Sequence, residues 1–339
     1  MNEPIVKIAD LQRGISPIRD WYPSRLRAGK SGIWCEWIQL KDIPFTDPFF
    51  DETLVKGLSK AANSCRFRPA SSLDLLADWS RTLPHIQPTA FIFHVSRCGS
   101  TLLSQLLGLH PHCISLAEVP FFDDIIRLPF KTETPPNFSV AETLAAAIRL
   151  YGQQRTGLEQ HLVIKLDSWH IFFWRQFRAL YPEVPFILLY RRPDEVVRSH
   201  RKLRGMHAVP GVIEPMVFGF HPEEVYSTDL DGYLARVLER YFDMYLDVVS
   251  EDRFTTLLNY ADGPKALLHN VASNCGLPLD NSYLANVAKR TAFHSKHPTR
   301  VFSEEKEALD ASPYLATVFR SYDQLEQLRL RTKKGSQYS

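Results

Sequence analysis

Two short stretches of this chain carry side chains suited to gripping an anion. The first, Phe91-Ile-Phe-His-Val-Ser-Arg-Cys-Gly-Ser-Thr-Leu-Leu103, passes from an apolar β-type segment through small residues into a leucine-rich helical pattern. Gly99 permits a tight bend there, the N–H groups of Gly99, Ser100 and Thr101 can converge on one oxyanion, and a helix N-terminus adds positive potential. Arg97 supplies a full charge beside them. A plain strand-to-helix turn capped by Ser100 or Thr101 is the structural alternative. A Walker-type loop is excluded, because the upstream glycine and the lysine of G-x-x-x-x-G-K-[ST] are both missing.

The second stretch joins Phe186–Tyr190 to Arg191-Arg-Pro-Asp-Glu-Val-Val-Arg-Ser199. Pro193 suits the first turn of a helix, and Asp194 and Glu195 favour its positive end. The Arg191 fork can hold a phosphate bidentately while the Ser199 hydroxyl, about two turns further on, donates to it. This requires Arg191 to fold back along the helix. A solvated basic helix face is the competing account.

These residues need a frame, and the sequence supplies one. Short β-rich apolar runs at Phe91–Val95, Leu162–Ile164, Phe186–Tyr190 and Phe254–Leu258 are each followed by a helical pattern, which predicts βαβ units around a buried parallel sheet. Leucines 102, 103, 106, 107 and 109 form a stripe that packs on such a sheet and stops at His110-Pro111. The fold class is therefore α/β, a P-loop-like three-layer arrangement with a short central parallel sheet flanked by helices, plus an N-terminal extension. The extension covers residues 1–85 and shows one helix, near Asp51 to Asn63. The α/β domain covers 86–330, and 331–339 is a frayed tail. Leu128–Ser139 and Gly205–Gly232 are rich in turn residues and read as functional loops.

With 339 residues the chain can bury roughly three quarters of its unfolded surface. Lys and Arg number 40 against 38 Asp and Glu, a net charge of +2 that excludes a general binder of nucleic acid or anionic membrane. Five cysteines without a CxxC pair argue against a disulfide framework or thiolate zinc site, so a reducing, cytoplasmic location is expected. Neither a secretory signal nor a membrane span is expected. His110-x-His112-Cys113 lacks a further ligand pair, so no metal is expected, and Asp123-Asp124 reads as a helix start near Ile125. Trp169 and Trp174 are expected in the core.

Together the two anion stretches resemble the sulfotransferase superfamily that uses 3′-phosphoadenosine 5′-phosphosulfate (PAPS), whose phosphosulfate loop is similar to Arg97-Cys-Gly-Ser-Thr101 and whose 3′-phosphate helix is similar to Arg191-Arg-Pro…Ser199. The pattern is closest to the bacterial and tyrosylprotein branches. In those branches a general-base glutamate follows a His-Pro helix end, as Glu118 follows His110-Pro111, and a lysine closes the next strand, as Lys165 does. The resemblance covers about residues 88 to 300. Cys98 stands where Ser or Thr is usual, leaving the backbone cradle available.

The resemblance implies sulfuryl transfer to a hydroxyl or amine, with Glu118 as base and Lys165 and Arg97 neutralising the leaving oxygen. Asp167, where the cytosolic branch has a histidine, is a second candidate base. It also implies that Arg97, Cys98, Gly99, Ser100, Thr101, Leu102, Arg191, Ser199, Tyr260, Ser295 and Lys296 bind the nucleotide, with PAP as product and no metal. The acceptor loops lack a basic cluster, which favours a small organic acceptor over an anionic polysaccharide. A homo-oligomer is left open. A P-loop nucleotide kinase or ATPase, or a non-catalytic PAP- or PAPS-binding protein, are the alternatives.

Overall fold

The computed structural model describes residues 18–29, 32–64, 67–132, 138–226, 228–293 and 313–335. Its centre is a parallel sheet of β4 (Ala90–His94), β5 (Cys113–Ala117), β6 (His161–Lys165), β7 (Phe186–Tyr190) and β8 (Thr255–Asn259) in the order β5-β6-β4-β7-β8. Helices cover both faces, so every residue of β4, β5 and β7 is buried, and β7 reads as a continuous apolar run. The chain leaves β4 toward one side and returns to the other at β7. That reversal opens a crevice at the carboxyl ends of the strands.

The four expected strands are present within a residue at each end. The fifth, β5, is an addition to the sequence expectation, because Ser115 interrupts its apolar run. Its hydroxyl is satisfied internally, donating to the Ser104 carbonyl at 2.8 Å, which lets a polar residue occupy a core strand. Ser104 belongs to α3 (Ser100–Gly108), the leucine-striped helix.

Residues before 85 hold more structure than the single expected helix. β1 (Trp21–Gly29), β2 (Gly32–Gln39) and β3 (Ala70–Ser72) form an antiparallel sheet, accompanied by α1 (Phe50–Leu58) and α2 (Leu73–Ser80). A bulge between Pro23 and Arg25 shifts the register and masks the period-2 pattern. Tyr22 packs against Phe45 and Tyr151 with ring centroids 5.6 and 5.5 Å apart, which ties this sheet to α5 (Val140–Tyr151). The Leu26 N–H donates to Asp124 of α4 (Pro120–Lys131) at 3.1 Å.

Both expected loops are shorter than the sequence suggested. Helix α4 continues through Pro129 to Lys131, and α5 begins after its Ser139 cap, which accepts from the Glu142 N–H at 3.2 Å. After α6 (Trp174–Leu180) and α7 (Pro193–Lys202), the Gly205–Gly232 region folds into three short 3-10 turns before α8 (Leu230–Glu251). Arg127 pins it, reaching Glu214 at 2.7 Å and Asp123 at 2.8 Å. Beyond α9 (Pro264–Cys275) and α10 (Asn281–Thr291), the last helix, α11 (Ala316–Gly335), runs into the stretch expected to fray. Its Glu326 meets the Tyr190 hydroxyl and accepts from Asn259 at 3.0 Å, fastening it across the ends of β7 and β8. No helix among the described residues is long and apolar enough to cross a membrane.

Candidate active site

Each parallel strand places a polar, charged or aromatic side chain at or just beyond its carboxyl end. His94 closes β4, Glu118 follows β5, Lys165 closes β6, Arg191 follows β7 and Tyr260 follows β8. Four of them line one cavity of about 1070 Å³, and the fifth, Lys165, lies behind Glu118 at its floor.

The loop after β4 holds three left-handed residues, Ser96 (φ 67°), Arg97 (φ 52°) and Gly99 (φ 80°). Two of these are not glycine, a costly conformation that persists only where surroundings enforce it. A Cβ at Gly99 would lie 2.8 Å from the Tyr260 ring, so only glycine fits beneath that ring. Ser100, Thr101 and Leu102 open α3 and line the cavity. The Cys98 side chain turns the other way, into the core, where Sγ contacts the Leu189 carbonyl at 3.5 Å and burial pushes the thiol up to about 11.

At the cavity floor Lys165 Nζ lies 2.6 Å from Glu118 Oε1, and His94 Nε2 lies 3.2 Å from the same oxygen. The backbone reinforces the pairing, since the Glu118 N–H donates to the Lys165 carbonyl at 2.8 Å and Glu118 takes a left-handed φ of 56°. Burial opposes ionisation of Glu118, but Lys165 and His94 outweigh it and hold the carboxyl well below the usual range. Burial also lowers His94 against the pull of Glu118. The aromatic ring of Phe49, from the N-terminal segment, lies 5.2 Å from Lys165 Nζ.

Asp167 sits near the same floor with the opposite balance. Burial, then the neighbouring charges of Glu118 and Asp123, push its carboxyl well above the ordinary value. Asp123, in the first turn of α4 and not before it as the sequence suggested, accepts from Trp169 Nε1 at 2.6 Å and His170 Nε2 at 3.1 Å. Burial works against its ionisation, yet His170 and Arg127 bring it down to about 2. Trp169 and Trp174 are both in the core, and Trp169 also lines the cavity.

Arg97 does not point at Lys165. Its guanidinium donates to the carbonyls of Leu203 at 2.8 Å and Ser199 at 3.3 Å, at the C-terminal end of α7, and its Nε is buried without a hydrogen-bond partner among the described residues. Arg191 donates to the Arg97 carbonyl at 3.2 Å, folds along α7 to Glu195 at 2.7 Å, and stacks 4.2 Å over the Tyr260 ring. Burial and then Arg191 lower the Arg97 guanidinium from its ordinary value, as expected of two cations held close. An anion between Arg97 and Arg191 would relieve that repulsion. Ser199 lines the same end of the cavity.

Ser295 and Lys296 lie outside the described residues. His94, Asp123, His170 and His207 were not foreseen. His207 is lowered to about 3 by burial and by His94. The only sequence signal for His94 was one histidine ending an otherwise apolar strand. The rings of His110 and His112 are engaged by the carbonyls of Pro278 and Leu158, at 2.9 and 2.7 Å.

No protein-family model matches this sequence, and no curated protein matches it. Solved structures of similar shape include a sulfotransferase domain from the curacin biosynthetic pathway, with 14% identity, TM-score 0.44, covering 72% of this chain and 99% of that one. A sulfotransferase from Mycobacterium avium shows 15% identity and TM-score 0.47 over 72% of this chain and 77% of that one. One from Alicyclobacillus acidocaldarius shows 18% identity and TM-score 0.41 over 72% and 96%.

Proposed function

We propose that this protein is a PAPS-dependent sulfotransferase acting on a hydroxyl or amine of a small organic acceptor. The observation that carries this reading is the ion pair between Glu118 and Lys165, 2.6 Å apart, at the floor of a cavity that also holds two separate anion grips. One grip is the left-handed loop from Ser96 to Thr101, and the other is Arg191 with Ser199. Two features of the chain fit such a nucleotide: the left-handed loop of Ser96, Arg97 and Gly99 lining the cavity, and the buried Nε of Arg97, which has no hydrogen-bond partner among the described residues.

When bound, PAPS supplies the sulfuryl group and a phosphate leaving group. The N–H groups of Gly99, Ser100 and Thr101 hold the 5′-phosphate end, with the α3 dipole behind them. Arg191 and Ser199 hold the 3′-phosphate, and Arg97 neutralises charge between the two ends. Lys165 balances charge at the leaving oxygen. Glu118 Oε1 takes the proton of the acceptor hydroxyl.

While paired with Lys165, Glu118 is a weak proton acceptor, so the role requires that pair to loosen when the donor binds. Lys165 Nζ has no partner among the described residues besides Glu118 and the Phe49 ring, so a donor oxygen beside it would draw its charge away. Burial, no longer offset, then makes the Glu118 carboxylate a better proton acceptor. Asp167, whose carboxyl burial and the charge of Glu118 push well above its ordinary value, lacks the Lys165 pairing that places Glu118 at the leaving oxygen, so Glu118 is the assigned base. Residues 86–330 form the transferase unit in this account, and residues 1–85 pack on it and add Phe49, Arg25 and Asp51 to the cavity wall.

Calorimetry tests the nucleotide assignment. PAP should bind at least about tenfold more tightly than adenosine 5′-phosphate, the value of one charge-assisted contact. Tight binding of ATP with Mg²⁺ and none of PAP would favour a kinase instead.

A further inference from the structure

We propose that the acceptor end of this cavity selects a compound carrying an organic ammonium group, paired with the Asp167 carboxylate. The purpose of that binding rests on the sulfotransferase reading, while the ammonium site itself is defined by the residues alone.

Asp167 is 8% exposed, and it lines the cavity. Its carboxylate makes no hydrogen bond among the described residues; its nearest ionic neighbour, His170 Nε2, is 3.8 Å away and already donates to Asp123 at 3.1 Å. Every other acid on that side is engaged. Glu118 has Lys165, Asp123 has Arg127 and Trp169, Asp51 has Arg25 at 2.8 Å, and Asp124 accepts from the Leu26 N–H.

A buried carboxyl without a partner costs stability, so its presence calls for a ligand that completes it. A cation is the natural complement, because the charges of Glu118 and Asp123 act on Asp167 more strongly than the opposing charges of Lys165 and Arg127. Trp169 and Phe49 line the same cavity, but their rings already face Arg127 at 5.7 Å and Lys165 at 5.2 Å, so recognition of the ammonium group falls to Asp167. The opposite end of the cavity carries Arg97, Arg191 and Arg198, which would repel the same group and so orient the acceptor.

A divalent metal is the competing occupant, since oxygen and nitrogen atoms of Asp123, Asp167 and His170 lie within 4.8 Å of one another. The hydrogen bonds argue against it. Facing the Asp123 carboxylate, His170 Nε2 carries a hydrogen and offers no lone pair, and the Asp123 oxygens are taken by Trp169, His170 and Arg127.

The test compares tyramine with 4-ethylphenol, a pair of similar shape that differs in the ammonium group, by calorimetry at pH 7 on the full chain with PAP present. Tyramine should bind at least about tenfold more tightly, and Asp167→Asn should bring the two within about twofold by weakening tyramine alone. Equal or weaker binding of tyramine, binding of neither probe, or a preference that survives Asp167→Asn overturns the proposal. So does Mn²⁺ binding that Asp167→Asn abolishes. If PAP itself fails to bind, the sulfotransferase reading falls, and the same comparison without PAP still decides the ammonium site.

Discussion

Gly99→Ala concentrates the argument about the first anion grip into one methyl group. The backbone at Gly99 has φ 80°, where an L-residue costs about 1–2 kcal/mol. The added Cβ would also lie 2.8 and 2.9 Å from two carbons of the Tyr260 ring, so the ring must move. Tyr260 carries the Arg191 guanidinium at 4.2 Å, a contact worth about 0.5–2 kcal/mol. Only this second part would reach a nucleotide bound there, so PAP affinity should fall about twofold to thirtyfold by calorimetry. Gly276→Ala is the control. It has φ 68° and nothing within 4 Å of its Cβ, so it carries the backbone cost without the displacement. Wild-type PAP affinity in Gly99→Ala, or an equal loss in Gly276→Ala, would refute the link between loop, ring and arginine.

Further outcomes follow from burial and charge. Asp167→Asn should raise the melting temperature at pH 7, with the gain shrinking toward pH 4. The folded protein holds the Asp167 proton above the ordinary value of 3.8, so wild-type stability from this group is present below that value and is lost as pH rises toward the folded pKa, whereas Asn does not titrate. A gain that is constant with pH would contradict this. Arg127→Met should cost about 3–5 kcal/mol in urea unfolding, because it strips the buried counter-charge from Asp123 and Glu214; a loss under about 1 kcal/mol would mean that water already screens the network. Cys98→Ser should keep PAP affinity within about twofold, since Sγ faces the Leu189 carbonyl and not the loop interior. A tenfold change would place that side chain in the site.

The strand ends were legible because buried parallel strands leave dense apolar runs, and the residues that follow them must be functional or turn-forming. Gly99, Ser100, Thr101, Arg191 and Ser199 could be named from local spacing alone, and they line one cavity. What local spacing could not reveal depends on contacts across the chain. Strand β5 was hidden because the partner of Ser115 sits on α3, and the β1–β2 hairpin because a bulge breaks its alternation. The Asp123 network joins residues on α4 to the segment after β6, so its carboxylate looked like a helix-start acid. The direction of Arg97, toward the α7 carbonyls, is set by a helix that lies far along the sequence.

Sulfate transfer itself is the most direct measurement. The protein is incubated with ³⁵S-labelled PAPS and pools of small hydroxyl- and amine-bearing compounds, and labelled organic product is sought by chromatography. The account predicts labelled product with wild-type protein and a loss of about 10²–10⁴ in rate for Glu118→Gln with PAP affinity retained. Tight PAP binding with no labelled product from any pool, or turnover that Glu118→Gln leaves unchanged, would contradict it.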